Sequence, residues 1–192
     1  MIAQLKAMNF HLVTIVDPGI KVEPGYKQYD EGVAHNYFAT YPNGEKFIGS
    51  VWPGRCHFPD FFRNDVRKWW GASFTALTEP GVEGFWNDMN EPATFPPANP
   101  DEPVLAHDPG KTFALDAQHN GDGLAGNHAR YHNVYGLQMA RATFEGLHQL
   151  RPQNRPFVLT RAGYAGVQRY AAVWTGDNVA SWEHLALTIP ML

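Results

Sequence analysis

The sequence predicts an α/β fold built on a parallel sheet. Short apolar, β-branched segments alternate along the chain with segments of helical periodicity. The first strand candidate, FHLVTIV at residues 10–16, is almost continuously apolar, as in parallel sheets that helices cover. Polar residues also recur directly after the predicted strands, at Asp17, Asp88, Arg161 and Asp177. Barrels and doubly wound enzymes hold their sites at this position.

The first half of the chain contains one clear strand and one clear helix. Residues 10–16 predict a buried strand that ends in a turn at Asp17. Residues 21–46 lack periodicity and predict a loop or short hairpin, and residues 47–54 predict a short extended piece. A helix is then expected, with Asn64 as its cap and with its end before Pro80. Its core-facing side chains are predicted to be Val66, Trp69, Trp70 and Phe74.

The second half repeats the strand-and-helix pattern around a long irregular segment. Residues 84–87 predict a strand, whereas residues 92–130 are rich in Pro and Gly and predict a long loop. Tyr131–Leu150 is the clearest helix of the chain. Two further short strands, at residues 157–160 and 171–174, precede a final helix that Ser181 is expected to cap.

Composition excludes several classes of partner. The net charge of −4, with no cluster of Lys or Arg, does not favour a nucleic-acid partner. No apolar run approaches the roughly 18–20 residues that a bilayer requires, so no membrane partner is predicted. No Gly-rich phosphate loop follows a strand, and no cofactor is predicted. Cys56 is the only cysteine, which favours a reducing compartment such as the cytoplasm; compartment and oligomeric state otherwise stay open.

The segment GFWNDMNEPATF, residues 84–95, is the strongest site candidate. It places two carboxylates, Asp88 and Glu91, among aromatic residues, where a charge is costly to desolvate unless it is paired. Asp177 lies in a similar segment, WTGDN, so that each aspartate is flanked by Trp and Asn. Either aspartate could equally be a turn or helix-cap residue. Two carboxylates about 5–5.5 Å apart across a pocket would instead predict glycoside hydrolysis with retention.

Five motifs in this chain resemble glycoside hydrolase family 31, the α-glucosidase and α-xylosidase family. The motifs are IVDPGI (15–20), VWPGRCHFPDF (51–61), GFWNDMNEPATF (84–95), HNVYGLQMARATFEGL (132–147) and VLTRAGYAGVQRYAAVWTGDN (158–178). They occur in the family's order and cover nearly the whole chain. The WxDMNEP and WxGDN patterns are the most specific of them.

The resemblance implies a (β/α)8 TIM barrel and a retaining α-glycosidase that cleaves terminal α-linked glucose from an oligosaccharide or α-glucoside. It makes Asp88 the catalytic nucleophile and Asp177 the acid/base. It also implies a sugar-binding role for five further residues, namely Trp52, Trp86, Met89, Arg161 and Trp174. Arg161 is expected to donate a forked pair of bonds to a sugar hydroxyl or a site carboxylate. Glu91 is expected to make a structural hydrogen bond near the nucleophile.

The chain is shorter than the barrel that the resemblance implies. A complete barrel needs about 250 residues. Residues 1–192 are therefore expected to be a partial (β/α)8 barrel, a fragment of one catalytic domain that spans about strands 3 to 6. Half a barrel exposes two strand edges, so the isolated fragment is expected to be inactive, aggregation-prone or rescued by association.

The sequence leaves other functions open. An α-xylosidase, transglycosylase or lyase of the same family would use the same pair of aspartates. An inactive fragment that only binds sugar or serves as a scaffold is the alternative from a different class. His128 and His132, four residues apart, could share a helix face as metal ligands, but hydrogen bonding at a helix start is the ordinary interpretation and no metal site is predicted.

Overall fold

The computed structural model describes residues 1–95 and 112–191. The strands in chain order are β1 (Val13–Val16), β2 (Ile20–Lys21), β3 (Gly49–Val51), β4 (Gly54–His57), β5 (Gly84–Asn87), β6 (Gln118–Gly121), β7 (Leu124–Asn127), β8 (Phe157–Thr160) and β9 (Ala172–Val173). The helices are α1 (Ile2–Ala7), α2 (Lys27–Ala34), α3 (Asn64–Ser73), α4 (Thr75–Thr78), α5 (His128–Tyr131), α6 (Tyr135–Leu150) and α7 (Trp182–Met191). Short 3₁₀ helices span His132–Val134 and Val167–Arg169.

The central element is a parallel sheet with the strand order β1-β5-β8-β9. The strands lie in register, so that Val16, Asn87, Thr160 and Val173 stand side by side at their carboxyl ends. The residues that follow these strands therefore emerge at one edge of the sheet. This arrangement confirms the predicted α/β fold with a parallel sheet, and it confirms that the polar strand-end residues share one edge.

Helices α3 and α6 cover one face of the sheet and pack closely on each other. Their closest approach is at two glycines, because a Cβ atom on Gly146 would lie 2.2 Å from the Cα of Gly71. Next to this contact the indole Nε1–H of Trp70 donates to Oγ1 of Thr143 at 3.0 Å. The predicted core-facing side chain Val66 is fully buried. These contacts hold the two helices to each other.

The opposite face of the sheet is open. Val13 and Ile15 of β1 are 42% and 55% exposed, and Phe157 of β8 is 51% exposed. The prediction of a buried first strand is therefore wrong on this face, although the strand exists. Apolar composition indicates that a strand belongs in an interior, but burial requires a covering layer, and the described residues supply one only on the α3–α6 side.

Two segments predicted as loops contain regular structure. Residues 27–34 form helix α2, within the segment predicted as loop or hairpin. Strands β6 and β7 form an antiparallel hairpin within the segment 92–130. The turn of this hairpin has Asp122 at φ 49° and Gly123 at φ 91°. An Asp-Gly pair in this conformation is a strong hairpin signal. Residues 96–111 of the predicted loop lie outside the described residues.

The predicted cap of helix α3 is also wrong. Asn64 is the first helical residue rather than the cap, and its backbone N–H donates to Oδ1 of Asp122 at 2.7 Å. The other carboxylate oxygen of Asp122 accepts from Arg67 at 3.1 Å. A residue distant in sequence therefore satisfies this helix end, which no local pattern could predict. The predicted Ser181 cap of α7 is confirmed, because its Oγ accepts from the backbone N–H of His184 at 3.2 Å.

The predicted long helix is confirmed with a shorter α-helical part. Residues 128–134 form a short helical turn followed by a 3₁₀ turn, and α6 itself begins at Tyr135. Leu137, Ala140 and Leu147 lie buried on its predicted inner face. Within the described ranges, no helix has the length and apolarity needed to cross a membrane.

Candidate active site

The carboxyl edge of the sheet brings charged side chains from three strands together. Asp17 follows β1, Asp88 follows β5 and Arg161 follows β8. The strand ladder continues to this level, because Asp88 N–H donates to Val16 O at 3.3 Å and Arg161 N–H donates to Asn87 O at 3.0 Å. Asp17, Asp88, Glu91 and Arg161 are called the strand-end cluster below.

Arg161 is the cation of the strand-end cluster. Its Nε and Nη2 atoms donate to the two carboxylate oxygens of Glu91, at 2.7 and 2.9 Å. The Nε atom also lies 3.2 Å from Oδ1 of Asp88, and Nη2 lies 3.0 Å from the sulfur of Met89. The expected forked pair of Arg161 bonds and the expected structural bond of Glu91 are confirmed as one interaction.

Asp88 is held through one oxygen. Its Oδ1 atom accepts from the backbone N–H of Met89 at 2.9 Å and pairs with Arg161. Within the described residues, every hydrogen bond and ion pair of this carboxylate uses Oδ1, which leaves Oδ2 available to another group. Met89 has φ 53°, so the chain turns sharply immediately after Asp88.

Asp17 is the residue that sequence reasoning placed at a strand end but did not assign to the site. Burial raises its pKa, the negative charge of Asp88 raises it further, and Arg161 opposes both effects. Its Oδ1 atom is buried and has no hydrogen-bond partner among the described residues. A carboxylate oxygen that is buried and unpaired beside other charges is suited to bind a donor that is supplied from outside. The sequence feature that could have assigned Asp17 to the site is its position directly after the first predicted strand.

The aromatic residues divide into two groups. Trp86 of β5 and Trp174, which follows β9, contact each other edge to face with ring centroids 5.0 Å apart. This contact joins the strand that carries Asp88 to the strand that precedes Asp177. Trp52 lies in the β3–β4 turn, is 74% exposed, and packs against Phe95 at 4.9 Å.

Asp177 lies in an exposed turn after β9. Its negative charge is one of the influences that raise the pKa of Arg161, after the larger effects of Glu91 and Asp88. The two aspartates therefore act on the same guanidinium. The expected separation of the two carboxylates, about 5–5.5 Å, stays a prediction.

The two histidines weighed as metal ligands, the buried His128 and the half-buried His132, belong to a hydrogen-bonded chain. Asp60 Oδ1 lies 3.2 Å from Nδ1 of His119, His119 Nε2 lies 2.9 Å from Nδ1 of His128, and His128 Nε2 lies 2.9 Å from Nδ1 of His132. We call these four residues the histidine chain. The hydrogen-bonding interpretation of His128 and His132 is confirmed, whereas His119 and Asp60 were not foreseen because they are distant in sequence.

The hydrogen bonds of the histidine chain engage ring nitrogens that a metal ion would need as ligands. A carboxylate only accepts, so Nδ1 of His119 donates to Asp60, and each following Nδ1–H donates to the preceding ring. Burial, together with the neighbouring rings of His119 and His132, lowers the pKa of His128 to about 3. In the described part of the chain, no three His, Cys, Asp or Glu side chains are arranged to hold a metal ion.

The chain is similar to known α-glucosidases over its whole length. It is 47% identical to α-glucosidase 2 of Bacillus thermoamyloliquefaciens, in an alignment that covers all of this chain and 23% of the relative. It is 40% identical to an α-glucosidase of Saccharolobus solfataricus, covering all of this chain and 28% of the relative. The chain thus spans about a quarter of the length of these relatives.

Solved structures and a family model indicate the same family as these relatives. A crystal structure of a glucosidase II α subunit superposes with a TM-score of 0.84 at 37% identity, covering 99% of this chain and 20% of that chain. A family 31 α-glucosidase from Bacteroides thetaiotaomicron superposes with a TM-score of 0.75 at 39% identity, covering 98% of this chain and 28% of that chain. The model of the glycosyl hydrolases family 31 TIM-barrel domain matches residues 1–192. This chain therefore belongs to glycosyl hydrolase family 31 and has the fold of part of its TIM-barrel domain.

Proposed function

We propose that this chain forms part of the active site of a retaining α-glycosidase of the α-glucosidase type. The observation that carries the proposal is the geometry of Asp88. Its carboxylate stands at the carboxyl end of a parallel strand, with Oδ1 held by Met89 N–H and Arg161. Oδ2 has no partner among the described residues and is free to attack. A nucleophile must combine this fixed position with one unengaged atom.

The proposed reaction has two steps. Asp88 attacks the anomeric carbon while Asp177, in its acid form, gives a proton to the leaving oxygen. Asp177 then removes a proton from water, which hydrolyses the covalent glycosyl–enzyme intermediate. Asp177 lies in an exposed turn, which supports this role because the acid/base must exchange its proton with solvent.

The surrounding residues are proposed to bind the sugar. Trp86 and Trp174 supply flat apolar surfaces, and Met89 and Arg161 line the site beside Asp88. Trp52, exposed on the β3–β4 turn, is proposed to cover the sugar from outside. We add Asp17 to this set, because its unpaired Oδ1 can accept a hydrogen bond from a sugar hydroxyl.

The substrate is proposed to be a terminal α-linked glucose of an oligosaccharide or α-glucoside. The relatives at 47% and 40% identity are both named α-glucosidases, which favours this substrate over the α-xylosidase, transglycosylase and lyase alternatives. One glucosidase II α-subunit structure is described as bound to Glc1Man2, which supports an oligosaccharide ligand. Residues outside this chain are proposed to complete the barrel and the pocket.

Covalent labelling tests the proposal directly. The protein that carries this chain is incubated with a mechanism-based cyclitol inactivator of α-glucosidases, and the labelled peptide is mapped by mass spectrometry. We expect one adduct, on Asp88. The Asp88→Ala variant should lose labelling, and its turnover should fall on the order of 10⁴-fold. Asp116→Ala is the matched control, because Asp116 is exposed outside the site.

Two results would overturn the proposal. An adduct on another carboxylate would move the nucleophile, and an Asp88→Ala variant with near wild-type turnover would remove its role. Complete absence of both labelling and turnover in the wild-type protein would support the sugar-binding or scaffold alternative instead.

A further inference from the structure

Asn90 lies two residues after the proposed nucleophile and is fully buried. Both ends of its carboxamide are used. The Nδ2 atom donates to Oγ1 of Thr160 at 2.8 Å, and Oδ1 accepts from the backbone N–H of Ala162 at 3.0 Å. A buried carboxamide with a partner at each end can hold two segments at a fixed distance.

The two partners of Asn90 lie on either side of Arg161. Thr160 precedes Arg161 and Ala162 follows it, and the Thr160 hydroxyl itself donates to Ala162 O at 3.0 Å. The backbone around Arg161 is therefore closed into a small hydrogen-bonded loop that includes Asn90. This loop links Asn90 to the backbone on both sides of the residue that pairs with Asp88.

The main-chain hydrogen bonds of the sheet do not join Asn90 to the segment around Arg161. The last ladder bond between β5 and the segment after β8 is the one from Arg161 N–H to Asn87 O. After Asn87 the chain leaves the sheet, since Met89 has φ 53°. The carboxamide of Asn90 thus takes the place of main-chain pairing at the level where the charged groups lie.

Helix α6 packs against both of the segments that Asn90 connects. A Cβ atom on Gly136, near the start of α6, would lie 2.5 Å from Cβ of Ala162 and 2.8 Å from the carbonyl oxygen of Asn90. The absence of a side chain at Gly136 lets the helix lie directly against both segments. The two segments are therefore constrained by packing as well as by hydrogen bonds.

We propose that Asn90 is a positioning residue, which sets the distance between Asp88 and Arg161 through its bonds to Thr160 and Ala162. This inference rests on the proposed function, because it assumes that Asp88 is the nucleophile. Asn90 does not contact the sugar; it acts through the two charged residues. Its effect is therefore on the reactivity of Asp88 rather than on the affinity for substrate.

Two substitutions at Thr160 test the inference without touching a charged residue. Thr160→Val removes the hydroxyl that Asn90 contacts and keeps the branched shape, whereas Thr160→Ser keeps the hydroxyl. In the protein that carries this chain, Thr160→Val is expected to lower kcat and the rate of labelling by the cyclitol inactivator by about 10- to 100-fold, with little change in KM. Thr160→Ser is expected to stay within about threefold of wild type.

Thr143→Val is the matched control. Thr143 is also fully buried and accepts a side-chain hydrogen bond, from Trp70, but it lies between α3 and α6. This variant should lower the melting temperature as Thr160→Val does, and leave the labelling rate well below the melting temperature unchanged. A purely structural role for Asn90 would make Thr160→Val behave like Thr143→Val, which would overturn the inference.

A double-mutant cycle gives a second measurement. If Asn90 and Thr160 act through one bond, Asn90→Ala together with Thr160→Val should lower the labelling rate no more than Asn90→Ala alone. Multiplication of the two single effects would overturn the inference. The wild-type protein distinguishes these outcomes from failure of the proposed function. If the proposed function is wrong, the wild type too is not labelled on Asp88; if only the inference is wrong, the wild type stays active and labelled.

Discussion

The strand-end cluster and the histidine chain are two groups of titratable side chains with opposite character. The strand-end cluster has three carboxylates around one guanidinium, and oxygens of Asp17 and Asp88 have no partner in the described residues. The histidine chain is more deeply buried, and its successive links are hydrogen-bonded from Asp60 to His132. The first group has unused bonding capacity beside the carboxyl edge of the sheet, whereas most of the capacity of the second group is used in hydrogen bonds between its own members.

This difference shows why a cluster of charged or polar residues is not by itself a site. A buried network whose members are all paired stabilises one packing arrangement. Unpaired buried polar atoms cost free energy, so their presence beside the sheet edge calls for an external partner. Function is therefore expected from the strand-end cluster and stability from the histidine chain. Substitutions in the two groups should therefore differ in their effects on activity and on stability.

Among the substitutions that compare the two groups, Arg161→Lys is expected to have the largest effect. Lysine keeps the positive charge but cannot make the forked pair with Glu91 while also contacting Asp88. We expect kcat/KM on an α-glucoside to fall about 100-fold or more. Arg155→Lys is the control, since Arg155 is exposed outside the site. Equal activity of the two variants would show that the fork geometry is irrelevant.

Asp60→Asn should affect stability more than chemistry. The carboxylate accepts from His119 and from the backbone N–H of Asn120, and asparagine has one acceptor oxygen for these two donors. We expect the free energy of unfolding to fall by about 1–3 kcal/mol, measured by denaturant titration, with the labelling rate of Asp88 unchanged. His148→Gln, an exposed histidine change on α6, serves as the control. A loss of labelling without a loss of stability would contradict the division.

Asp17→Asn should separate activity from stability at one position of the strand-end cluster. The substitution removes a half-buried charge that lies near Asp88, so the melting temperature should stay equal or rise. The proposed bond from the sugar hydroxyl weakens at the same time, and kcat/KM should fall about tenfold. A lower melting temperature together with unchanged kcat/KM would assign Asp17 to the structure rather than to binding.

The smallest effect is expected from the pH dependence of His128. The buried ring binds a proton only near pH 3, whereas the same ring in the unfolded chain binds it near pH 6.5. The unfolded state therefore takes up more protons between these values, and stability falls as the pH drops from about 6.5 towards 3. His128→Gln should be less stable at pH 7 and should show a shallower decline of the melting temperature from pH 6.5 to 4. An identical slope in both proteins would show that His128 does not titrate on unfolding.

Local patterns succeeded where one segment carries all the necessary information. Apolar runs predicted β1, β5 and β8, and helical periodicity predicted α6. These elements were predictable because burial of one face imposes a pattern on consecutive residues. The position of Asp88 and Arg161 at strand ends followed from the same patterns. The hairpin β6–β7 was missed although its Asp122–Gly123 turn was visible, because the surrounding Pro- and Gly-rich sequence favoured a loop.

The amino-acid sequence alone predicts the α/β class, the strand ends that carry charged residues and the family of this chain. Tertiary structure alone decided which distant groups meet. Asp122 capping α3, Asp60 bonding to His119, and Asn90 bridging to Thr160 and Ala162 all connect residues that are separated by at least 58 positions in the chain. Periodicity and turn signals describe only neighbours in sequence. Hydrogen bonds between segments depend on the register of the sheet and on the packing of the helices against it.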